Sequence, residues 1–179
     1  MTFSFGTCLK MKLFGESHGP CVGVTIEGFP VGIKIKLDQI QTELDKRKPG
    51  QSLLTTQRKE LDQLEVQSGL FENKSTGSPI TMLVKNQDNI SAHYDELKIT
   101  PRPGHADFPA QVKYNGLNDH RGGGIFSGRM TAGIVMAGAL AKQLPEMQGI
   151  QITTYIKQIG SIRSENNQGL TLEMEKLIL

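Results

Sequence analysis

Apolar and polar positions alternate over residues 22–26 (VGVTI), 32–35, 64–68, 80–84 and 150–156, and Gly, Pro, Asn or Ser stand at most of the boundaries. Successive strand side chains point to opposite faces, so this period predicts strands half-buried on a common core. A longer period appears twice. Leu37, Ile40 and Leu44 fall on one face of LDQIQTELDKRK, and Met130, Ile134, Ala137, Ala141 and Leu144 fall on one face of RMTAGIVMAGALAKQL. Both segments are expected to be helices packed on a sheet, which makes the chain a mixed α and β domain.

The breakers refine these elements. The first helix runs into Lys46, Arg47 and Lys48 and then Pro49 and Gly50. Cations there complement the exposed carbonyls, and proline ends the ladder. Gly133 and Gly138 lie inside the second helix, where each costs about 1 kcal/mol against alanine, so close packing on the sheet is expected at both. Residues 86–119 show weak periodicity and hold PRPGHADFPAQVKYNG, which reads as a long functional loop. The final TLEMEKLIL carries an apolar helical face without a C-terminal cap, as though cut before its packing partner.

Composition narrows the function classes. With 179 residues and 37% hydrophobic content, one medium-sized domain spanning 1–179 is expected. The 20 basic and 18 acidic side chains leave a net charge of +2, so no global field points to nucleic acid and any anion site must be local. Cys8 and Cys21 lack metal spacing or a second pair, which suits a reduced cytoplasmic setting. No apolar run approaches the roughly 20 residues of a membrane span, and no secretory leader is visible.

Candidate chemistry gathers at histidine, glycine and arginine. His18 in GESHG and His105 in RPGHAD stand where a ligand can approach closely, and imidazole exchanges a proton near neutrality. Each is also compatible with a turn histidine bonded to backbone. Ser17 beside His18 has no nucleophile elbow and no orienting acid, which disfavours a hydrolase. No His, Cys or acidic residues repeat at zinc spacing. Arg47, Arg58, Arg102, Arg121 and Arg129 all flank turn-forming residues, and several arginines converging would suit a small polyanion. In HRGGGIFSGRMTAG, Gly122, Gly123 and Gly124 lead to Ser127, the expected N-cap of the second helix, so bare amides and a positive dipole end are available to an anion. The stretch lacks the lysine of a Walker loop and is not a dinucleotide fingerprint.

Three segments taken together resemble one family. FGESHGPCVGVTIEGFPVGIKI, RPGHADFPAQVKYNG and RGGGIFSGRMTAG are similar, in order and spacing, to the signatures of chorismate synthases, with the likeness running from about Phe3 to Gln158. The resemblance implies an α+β fold of the β-α-β sandwich type. It implies a 1,4-anti elimination of phosphate from 5-enolpyruvylshikimate 3-phosphate, giving chorismate, with reduced FMN required although no net redox change occurs. NADPH is a possible reductant of that flavin. The family is cytoplasmic and homotetrameric, with neither a nucleic-acid nor a membrane partner.

By the same resemblance His18 is the acid that protonates the departing phosphate, and His105 serves the reduced flavin near N1. Arg47 matches an arginine that holds the substrate phosphate, with Ser17, Ser127 and Arg129 lining the substrate side. Ile125, Phe126 and Ser127 join His105 on the flavin side. The three glycines are then expected to admit the flavin to the backbone.

The chain departs from the family pattern in three places. Ile125 stands where many members carry a polar or cationic residue after the glycines, and Leu53 stands where many carry an arginine. Both changes should weaken flavin or phosphate binding. The family's second half is also missing, so the chain reads as an N-terminal portion that is weakly active or inactive alone. The competing expectation is a non-catalytic phosphate- or flavin-binding remnant.

Overall fold

The computed structural model describes residues 3–48, 60–87 and 98–164. In chain order it holds β1 (Ser4–Phe5), β2 (Lys10–Gly15), β3 (Cys21–Glu27), α1 (Leu37–Arg47), β4 (Glu65–Ser68), β5 (Leu70–Phe71), β6 (Lys74–Ser75), β7 (Ile80–Lys85), α2 (Asp107–Lys113), α3 (Thr131–Glu146), β8 (Gln158–Ile159) and β9 (Ile162–Arg163). The fold class is α+β, as the sequence leads one to expect.

Five strands form an antiparallel sheet in the order β1-β2-β3-β7-β4. Alternation puts Val22, Val24 and Ile26 of β3 and Ile80, Met82 and Val84 of β7 into the core, with Val24 opposite Met82. α1 and α3 pack together and α3 lies on β3, so Ile40, Leu44, Met136 and Leu140 close the core from the helix side. Burial of each such side chain contributes about 1.5–3 kcal/mol. α1 ends at Arg47, where the sequence places its stop, and its lysines pair with carboxylates, Lys46 with Glu43 and Lys48 with Asp45.

Three expectations need correction. Residues 32–35 form no strand and contribute one isolated bridge, Lys34 to Lys74. Ile35 is instead buried in the core, with Ile33 packed partly buried against it. Residues 150–156 are not a strand either: the segment is exposed, and the β8–β9 hairpin forms just beyond it. The expected long loop contains α2, whose DFPAQVK buries only Asp107 and Ala110 and so shows little apolar period. The helical face expected over 171–179 lies outside the described residues.

The two helical glycines separate. A Cβ on Gly133 would come 2.6 Å from Leu13 Cδ2 and 3.0 Å from the Gly23 carbonyl oxygen, so helix and sheet do approach closely there. A Cβ on Gly138 would meet nothing within 4 Å, and the close packing expected at that position is absent. Gly138 borders an open apolar groove of about 280 Å³ that Phe5, Met11, Phe29 and Ile134 also line. Among the described residues no helix is long and apolar enough to cross a membrane, and no cluster of potential metal ligands occurs. Both cysteines are free thiols.

Candidate active site

The site begins with the turn after β2. Gly15 has φ of 88°, and the chain doubles back through Ser17 and His18 into β3. Ser17 is 1% exposed and His18 is 8% exposed, and the Ser17 amide donates to the Gly124 carbonyl at 3.2 Å. This bond docks the first histidine turn on the glycine segment.

Gly122, Gly123 and Gly124 all have positive φ, at 57°, 83° and 54°. The chain's own side chains stand next to them. A Cβ on Gly122 would fall closer than 3.0 Å to the His18 ring and to Ser17 Oγ. One on Gly123 would lie 2.6 Å from His105 Cε1 and 3.4 Å from Arg102 Nη2. One on Gly124 would strike the Asp119 carbonyl oxygen. The space a side chain would take is thus filled by the protein's own catalytic candidates, and the left-handed backbone excludes most other residues. Adjacent glycines bring His18 and His105, far apart in sequence, to one short piece of backbone.

His105 is held from behind. Its Nδ1 lies 2.6 Å from Asp107 Oδ1, and Asp107 also accepts from the Arg102 side chain at 2.8 and 3.0 Å and from the Arg102 amide at 3.1 Å. The Arg102 hydrogen bonds hold the Asp107 carboxyl well below the usual carboxylate range, against an opposing effect of burial. Asp107 is therefore an acceptor fixed beside Nδ1, and Nε2 is left on the Gly123 side with Arg102 Nη2 at 3.4 Å. Asp119 is held low in the same way by Arg121, whose side chain remains 42% exposed.

The arginines arrange themselves around buried acid. Arg47 Nε donates to Thr131 Oγ1 at 3.0 Å and Nη1 to Asp62 Oδ2 at 3.0 Å, which ties the end of α1 to the start of α3. Arg129 is buried and donates to Asn86 Oδ1 at 3.0 Å and to Asp62 Oδ1. Ser127 caps as expected, accepting from the Arg129 amide at 3.3 Å, but the turn it opens is the three-residue 3-10 segment Gly128–Met130, and α3 follows from Thr131.

The remaining expected contacts divide. Ile125 is half-buried and packs against the core, while Phe126 stacks edge-on with Phe3 at 5.8 Å and tilted with Tyr114 at 6.4 Å. Their side chains serve packing. Leu53 and Arg58 lie outside the described residues. Sequence reasoning overlooked Asp107, although it sits two positions after His105 in GHAD. It also overlooked Glu60, Asp62 and Asn86, which carry no local pattern and matter only through what they face.

These features define an α+β protein in which two imidazoles meet at a glycine turn and two restrained arginines meet at Asp62, an arrangement suited to acid–base work on an anion. The family profile described as chorismate synthase matches residues 9–177. A chorismate synthase of Thermococcus kodakarensis is 48% identical over 159 residues, which is 89% of this chain and 44% of that protein. One of Pyrococcus abyssi is 50% identical over 170 residues, 94% of this chain and 46% of that one. A crystal structure of chorismate synthase superposes with a TM-score of 0.65 at 29% identity, covering 89% of this chain and 40% of that chain. The chain belongs to the chorismate synthase family, and it spans less than half the length of these relatives.

Proposed function

We propose that the protein carrying these residues is a lyase that eliminates phosphate from 5-enolpyruvylshikimate 3-phosphate to give chorismate, and that residues 1–179 form its N-terminal portion. The observation that supports this reading most is the placement of His18 and His105 on consecutive glycines. Relatives at 48–50% identity bear the name of that activity.

In this elimination the C–O bond to phosphate breaks with its electrons leaving on oxygen, a ring proton is lost, and a new double bond forms. His18 is the acid for the departing phosphate. Its burial beside Ser17 keeps water from competing for the proton, and a positioned acid of this kind contributes about 10²–10⁴-fold. Arg47 supplies fixed positive charge, and Ser17 and Ser127 supply polar contacts. Arg129 lines the substrate side as well, its guanidinium held by Asp62 and Asn86.

The flavin fit is partial. His105, 28% exposed on its side chain, and Ser127 remain open to a bound FMN, whereas Ile125 and Phe126 are engaged in packing. Reduced FMN would supply electron density to the substrate without net redox change, and His105 would hold its polar edge. The cytoplasmic setting, NADPH as the reductant and a homotetramer complete the proposal.

The test joins these residues to the C-terminal half of a relative and supplies photoreduced FMN and the enolpyruvyl substrate without oxygen. A flavin absorbance change followed by chorismate is expected, with much less from residues 1–179 alone. Binding of both ligands without any chorismate in the joined protein would overturn the enzymatic reading in favour of a binding remnant.

A further inference from the structure

Arg129 follows the glycine turn, yet its guanidinium faces inward: its side chain is 3% exposed. Nε donates to Asn86 Oδ1, one terminal nitrogen to Asp62 Oδ1, and the other to the Lys85 carbonyl at 3.4 Å, with the Glu60 carboxylate at 3.9 Å. Each partner reaches a different part of the site. The Asn86 amide nitrogen donates to the Glu16 carbonyl at 2.9 Å and the Gly19 carbonyl at 2.7 Å, the two ends of the turn that carries Ser17 and His18. Asp62 spends its second oxygen on Arg47. Asp62 also holds φ of 48°, a left-handed conformation that a non-glycine residue keeps only where its surroundings enforce it.

We propose that Arg129 is a positioning residue for the proposed reaction, setting the His18 turn through Asn86 and the Arg47 head through Asp62. The inference rests on the enzymatic reading for its purpose, but its geometry stands apart from turnover. Losing the guanidinium would leave the buried Asp62 carboxylate with Arg47 and Glu60 with the Gln87 amide, less positive charge than they now face, which is costly inside a protein. Arginine is required because one planar fork must serve an amide oxygen and a carboxylate at once, which a lysine point charge cannot do. Asn86 then has its oxygen committed to Arg129, so both amide hydrogens face the turn. His105 is outside this network, held by Asp107 and Arg102.

The test is nuclear magnetic resonance on the labelled 179-residue chain, with His105 as the internal control. In the wild type the Arg129 Nε–H should exchange at least about 100-fold more slowly than a free arginine side chain, since the network must open first. Both Arg129→Lys and Asn86→Asp should shift the His18 ring resonances and leave those of His105 in place. Arg129→Lys should also shift the Arg47 Nε–H, which Asn86→Asp should not. Fast exchange at Arg129 overturns the proposal, as do unmoved His18 resonances in folded Asn86→Asp. If both variants fail to fold, the wild-type exchange rate decides. No arm involves turnover, so failure of the lyase reading and failure of this one are separately visible.

Discussion

Gly122 and His18 compete for one volume: a methyl group on the glycine would sit closer than 3.0 Å to the imidazole. The glycine therefore determines where the histidine can be. Two costs attend Gly122→Ala, the left-handed φ of 57° and the clash with a buried ring. Gly32, at φ of 80° with nothing within 4 Å, bears only the first. Gly32→Ala should lose about 1–2 kcal/mol and Gly122→Ala clearly more, read as denaturation midpoints at constant m. Equal losses would show that His18 does not fill the space above Gly122.

The helical glycines should respond with opposite signs. Gly138→Ala adds a methyl in open space and improves helix propensity, so it should stabilise by about 0.5–1 kcal/mol. Gly133→Ala drives a methyl towards Leu13 and the Gly23 carbonyl, and overpacking of this kind costs about 1–3 kcal/mol. Thermal unfolding of the pair checks this.

Asp107 links pH to stability. Its folded-state carboxyl is depressed by Arg102, so the stabilisation it provides is complete above the unfolded value of about 3.9 and is lost as pH falls from there towards the folded value. Acidification from pH 7 to pH 3 should therefore cost the wild type more stability than Asp107→Asn. Urea titrations at the two pH values measure the difference, and a larger loss in the variant would contradict the assignment.

Both histidines should be needed for turnover. In the joined protein, His18→Ala and His105→Ala should each lower turnover by about 10²-fold or more. Asp107→Asn should lower it less, because an amide oxygen can still accept from His105 Nδ1. Steady-state chorismate formation tests all three, and wild-type rates in both alanine variants would remove the assigned roles.

The sequence by itself determined the core strands β3 and β7 and the helices α1 and α3, because each carries enough apolar residues at one period to identify its buried face. It also determined the family and the two histidine motifs, since those lie in contiguous words. β2 was not legible: its Lys10 and Lys12 alternate with Met11 and Leu13, but the glycine-rich text around it reads as turn. What only the tertiary structure decided is how distant words meet. Burial set Arg129 against Asp62 across a gap in sequence that no periodicity spans. Folding also placed the chain's own imidazoles against Gly122 and Gly123. A local pattern records which way a side chain points, but its partner depends on how the sheet and helices close around the core.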